Sequence, residues 1–137
     1  MMLVKLVQTI NINEAYHFLG SPEAGAVNLF IGTVRNHSKG KAVAKLEFEA
    51  YETMAVKELE KVALAAIQKW SLNKVIIIHA TGEKLPGEPV VITGVSTAHR
   101  KASFEACEFL INELKKTVPI WKHEWYEDGS EWINAHP

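Results

Sequence analysis

Only two of the fifteen cationic side chains in this 137-residue chain are arginines, Arg35 and Arg100. Arginine presents a planar fork that grips carboxylate or phosphate through two hydrogen bonds, a geometry that lysine does not imitate. Arg100 closes the run Ser96-Thr97-Ala98-His99-Arg100, where a β-rich segment gives way to a helical one. Free backbone N–H groups at a helix N-terminus attract anions, and a His and an Arg placed there add directed donors. The same pair also reads as a plain helix cap and a solvated cation, and spacing alone does not separate the two. At the far end of that helix stand Lys115 and Lys116, followed by Pro119-Ile120-Trp121-Lys122. Complementing the helix dipole accounts for Lys116. Lys115 lies about 20–40° from Phe104 and Ile111 on a helical wheel, at the border of the apolar stripe, where a lysine snorkels. A turn at the proline can return Lys122 toward Lys115. Such a set would bind anions and lend amines to acid–base or electrostatic work.

Other chemistries fare worse. The six histidines show no HxH or HxxxH pairing and Cys107 stands alone, so neither a metal site nor a disulfide framework is expected. Asp128, the sole aspartate, lies in a turn, which disfavours a Ser-His-Asp triad. Counting does not exclude a glycosidase pair among fifteen glutamates, but most fall on solvated helix faces. Phe104, Cys107, Ile111, Leu114 and Val118 recur at steps of three and four, so the thiol is expected in the core and inert.

The elements that must carry these residues follow from pattern. A strand over residues 3–8 precedes a short helix, 13–19, capped by Asn11 or Asn13. The segment 26–35 is rich in β-formers, with Gly32 marking a bulge or a close backbone approach. Residues 36–41 read as a loop, and 43–51 alternate as a half-buried strand. An amphipathic helix spans 53–70; strands at 74–80 and 90–97 flank a loop containing Pro86-Gly87. The second long helix runs from about His99 to Thr117, and 120–126 forms a strand with Ile120, Lys122, Glu124 and Tyr126 on one face. A last extended piece surrounds Trp132. This order predicts a two-layer α+β domain over residues 1–137 with a largely antiparallel sheet. No Gly-rich strand-to-helix turn supports a dinucleotide-binding fold.

Composition bounds the setting. With 47% hydrophobic and 23% charged residues, the chain can bury a core, and no apolar run approaches the ~20 residues of a membrane span. Lys5 interrupts the opening apolar stretch, so it reads as a strand and not a signal peptide. A net charge of −1 gives no pull toward nucleic acid or membrane, and a lone cysteine fits the cytoplasm.

Five landmarks in order give the chain a resemblance. They are Gly32-Thr33-Val34-Arg35-Asn36-His37, Leu46-Glu47-Phe48-Glu49-Ala50-Tyr51 with Met54-Ala55, Gly87-Glu88, Ala98-His99-Arg100 with Phe104-Glu105-Ala106, and Val118-Pro119-Ile120-Trp121-Lys122. Together they resemble the large, catalytic subunit of molybdopterin synthase, the MoaE family. The resemblance implies a hammerhead-type α/β fold and a homodimer that binds a small ubiquitin-like subunit at each end, a heterotetramer. The small subunit's C-terminal thiocarboxylate would donate sulfur to cyclic pyranopterin monophosphate, forming the dithiolene of molybdopterin without any further cofactor. It carries catalytic roles onto Lys115 and Lys122, anion contacts onto Arg35, His99 and Arg100, and flanking contacts onto Thr33, Val34, His123 and Glu124. With Cys107 buried, sulfur arriving on a partner suits the inventory.

Two departures stand out. His79-Ala80 occurs where relatives often carry His-Arg, and His136 falls near where relatives can place a basic residue. One inference is geometric: Arg100 and Lys115 are fifteen positions apart on one helix, ~22 Å at about 1.5 Å per residue. If both serve one pocket, a second chain supplies one of them. The alternative is a non-catalytic dimeric module that binds a ubiquitin-like tail or a phosphorylated metabolite. A phosphate-ester hydrolase is disfavoured by the lack of a metal site or activated nucleophile in the sequence, and single-stranded RNA binding through the tryptophans is weakened by the pI of about 6.6.

Overall fold

The structure, a computed structural model, describes residues 1–134. Strand β1 (Met2–Val7) leads to helix α1 (Ile12–Leu19), whose N-cap Asn11 accepts a hydrogen bond from the Glu14 N–H. Then come β2 (Ala26–Thr33), β3 (His37–Ser38), β4 (Lys41–Ala50) and α2 (Glu52–Lys69). They are followed by β5 (Lys74–Ala80), β6 (Gly82–Lys84), β7 (Pro89–Thr97), α3 (Arg100–Thr117), β8 (Ile120–Tyr126) and β9 (Glu131–Asn134). The α+β class and the antiparallel bias are as the sequence predicts, with the strands divided between two sheets.

The first sheet has the order β1-β5-β7-β2, antiparallel except for the parallel β1–β5 pair. Helices α2 and α3 cover one face and the short α1 the other. This explains the unbroken apolar run of β5, a signature of strands buried on both sides. Val75 and Ile77 join the core beneath α2 and α3, whereas Ile76 and Ile78 pack under α1.

The second sheet runs β3-β4-β8-β9, with β6 also pairing β4. Two of its strands fall inside predicted loops. Lys39 and Gly40 both take positive φ, 53° and 75°, which closes β3 and β4 into a hairpin. Strand β6 is three residues long and exists because Leu46–Phe48 of β4 offers it an edge, a tertiary cause invisible to local pattern.

Helix α3 buries Ser103, Ala106, Cys107, Leu110, Ile111 and Leu114. Phe104, expected in that stripe, is instead 63% exposed. At roughly 100° per residue the buried face centres near Leu110 and Leu114, leaving 104, 111 and 115 about a quarter-turn away on one border line. Lys115 is therefore a border residue, and so is Phe104. The Cys107 thiol is buried against Thr93, and burial pushes its pKa up, as expected of an inert core cysteine.

Candidate functional site

A cavity of about 190 Å³ opens where the two sheets meet under the C-terminal half of α3. Three segments build its polar wall. The first leaves β2 at a register break between Gly32 and Thr33. A side chain at Gly32 would come within 2.6 Å of Val91 Cγ1, so glycine lets the strands close there. Beyond the break Thr33 pairs with Pro89 at the start of β7, and Thr33, Val34 and Arg35 run along the cavity. They are held by the loop before β7: the Gly87 N–H donates to the Val34 carbonyl at 2.8 Å, and the Val34 N–H donates to the Glu88 carbonyl at 3.1 Å. The Glu88 side chain in turn accepts from the Leu85 N–H. The landmark Gly87-Glu88 is thus a clamp on the landmark Thr33-Val34-Arg35.

The second segment is the last two turns of α3, where Ile111 and Leu114 form apolar wall and Lys115 lies at the lip. The third is β8. Its alternation sends Lys122 and Glu124 inward, while Trp121, His123 and Trp125 face away. Lys122 Nζ stands 3.2 Å from Glu124 Oε1, in a pair whose side chains are 21% and 4% exposed. The other carboxylate oxygen accepts from the Tyr126 hydroxyl at 2.5 Å. Burial pushes the Glu124 carboxyl up, but hydrogen bonds from Tyr126 and Lys122 and the lysine's charge outweigh it and hold the pKa below its ordinary value.

One chain therefore brings together Thr33, Val34, Arg35, Lys115, Lys122 and Glu124. Glu124 spends both carboxylate oxygens on protein partners, which makes it a group that positions Lys122. His123 does not line the cavity: its ring stacks on Trp125, with centroids 3.8 Å apart, on the opposite face of the strand. His99 and Arg100 lie at the other end of α3; His99 is the N-cap residue, but its side chain makes no capping bond. His136 lies outside the described residues. Among those residues no three His, Cys, Asp or Glu side chains gather to hold a metal ion, and no helix is long and apolar enough to cross a membrane.

Sequence reasoning missed the cavity's base, formed by Phe48, Val91 and the fully buried His79. The available signal was a histidine inside the apolar run KVIIIHA, where a polar ring needs a reason.

The Glu124 arrangement has a measurable consequence. Glu124→Gln removes the charge facing Lys122 and is expected to lower unfolding stability by about 2 kcal/mol at neutral pH. A carboxyl whose pKa is depressed on folding stabilises above its unfolded pKa and loses that contribution as pH falls through the folded value. Urea titrations should thus show the gap between wild type and variant closing below about pH 4.5, the ordinary carboxyl value. A gap independent of pH would detach Glu124 from the ion pair.

Compared with known proteins, residues 7–117 match the family model described as MoaE protein. The molybdopterin synthase catalytic subunit of Pyrococcus abyssi is 39% identical over 133 residues, covering 97% of this chain and 90% of that protein. The catalytic subunit of Bacillus subtilis is 47% identical over 124 residues, 90% of this chain and 79% of its own. The crystal structure of molybdopterin synthase from Staphylococcus aureus superposes with a TM-score of 0.91 at 34% identity, covering 96% of each chain.

Proposed function

The chain belongs to the MoaE family of molybdopterin synthase catalytic subunits, and on that premise we propose that its cavity moves sulfur onto a pterin. The donor is the C-terminal thiocarboxylate of a small ubiquitin-like subunit, the acceptor is cyclic pyranopterin monophosphate, and the product is the dithiolene of molybdopterin. The observation that carries this reading is the convergence of Arg35, Lys115 and Lys122 on one cavity whose lining includes no thiol. Both reactants are anionic, and opposite charges ~4 Å apart gain about 4 kcal/mol at an effective dielectric near 20. Arg35 binds and orients. Lys115 acts on the thiocarboxylate and the pterin carbons as acid/base or transient nucleophile, and Lys122, fixed by Glu124, stabilises the negative charge that develops.

The remaining anion contacts, His99 and Arg100, come from a second copy of the chain in a homodimer. Exposed Phe104, one turn beyond Arg100, offers that copy an apolar anchor. The full assembly is a heterotetramer with one small subunit at each end, and the setting is cytoplasmic.

Incubation with thiocarboxylated small subunit and cyclic pyranopterin monophosphate tests the reading. Dithiolene should form, with the small subunit returned as carboxylate. Stable docking of both reactants without product would leave a binding module in place of an enzyme.

A further inference from the structure

His79 ends the apolar run of β5 and shares the face of Val75 and Ile77, at the base of the cavity. It is 0% exposed, and its ring meets the Phe48 ring edge-on with centroids 5.2 Å apart. Nδ1 lies 2.7 Å from the Ala80 carbonyl oxygen. A carbonyl only accepts, so Nδ1 carries the proton. Burial keeps the ring neutral by lowering its pKa to about 4. Nε2 is then a bare lone pair, and it has no hydrogen-bond partner among the described residues. Buried acceptors are ordinarily satisfied, and a binding site is where a ligand supplies the missing donor.

The cavity is therefore polarised. Arg35 and Lys115 stand exposed at its lip, Lys122 lies between, and a proton acceptor sits at the bottom. An anionic group is drawn to the lip and repelled by the lone pair, while an N–H group is welcome at the base. Phe48 and Val91 beside it present apolar walls suited to the faces of a flat heterocycle.

Resting on the pterin reading above, we propose that His79 is a further substrate-binding residue. Its Nε2, shielded from water in the free protein, accepts a hydrogen bond from an N–H of the pterin ring system once the side chains covering it shift aside, and so decides which edge of the heterocycle enters first, with the phosphate left at the cationic lip. The contact selects for a nitrogen heterocycle that offers a donor and against one that offers only carbonyl oxygens.

Nitrogen-15 NMR of histidine-labelled wild-type protein reads the contact directly. Cyclic pyranopterin monophosphate alone should move the unprotonated Nε2 resonance of His79, and a peptide with the small subunit's Gly-Gly terminus alone should not. In the complete synthase, His79→Leu should raise KM for the pterin about tenfold with a smaller change in kcat. His79→Gln, which keeps an acceptor, should restore most of the loss. A resonance unmoved by saturating pterin, a resonance moved only by the peptide, or an unchanged KM in His79→Leu would overturn the assignment. Should His79→Leu fail to fold, the wild-type titration still decides. Pterin-dependent movement of Nε2 without dithiolene product would uphold the contact and reject the sulfur chemistry instead.

Discussion

Lys115→Ala is expected to cut dithiolene formation by about 10²–10⁴-fold, the range associated with losing a positioned acid–base group. The fold should not notice. Lys115 is exposed and has no ion-pair partner among the described residues, and surface changes of that kind stay within about 0.5 kcal/mol. Thermal unfolding of the variant should then overlay the wild type while turnover collapses. Lys115→Arg refines the outcome. Arginine keeps the positive charge but does not give up its proton, so a variant as poor as alanine identifies proton transfer or nucleophilic attack, and substantial activity identifies charge alone. Full turnover in Lys115→Ala would remove this side chain from the mechanism.

The second large effect is a gain. Arg100 opens α3 and Lys115 lies in its last turn, so the rigid helix keeps them ~22 Å apart at about 1.5 Å per residue. Either variant, Arg100→Ala or Lys115→Ala, should be nearly inactive alone. In a mixture of equal amounts allowed to exchange, about half of the dimers are hybrids. Each hybrid then holds one site with both residues intact and one with neither. Turnover should climb from near zero to about a quarter of the wild-type value. Activity that stays at the level of the parents would place Arg100 outside the site.

The parts of this site legible in the sequence are those governed by local period. Strand β8 alternates, so Lys122 and Glu124 were expected to share a face and His123 to oppose it, as found. Helix α3 rotates about 100° per residue, so the helical period alone puts Lys115 at a border. The same rotation puts Phe104 on that border, and its exposure goes against the pattern because an apolar residue at helical spacing reads as core. What the sequence could not show depends on pairing over long separations. Strand β6 borrows its structure from β4, and the division into two sheets follows from which edges meet. The cavity base is the clearest case. His79, Phe48 and Val91 come from three strands, and nothing local joins them. The role of Glu124 also shifted, since a carboxylate's partners are set by Lys122 and Tyr126 in three dimensions.

The pairing of β8 with β4 aligns Ile120 with Ala50 and Tyr126 with Val43. Chains leave the ribosome N-terminus first, so a polypeptide made only as far as α3 has its fourth strand, Arg35 and the Gly87 clamp, yet lacks the wall that bears Lys122. Only the arrival of β8 closes that groove with the strand bearing Lys122 and Glu124. A translation product stalled before β8 thus holds the arginine of the groove but neither the lysine nor the glutamate of its facing wall.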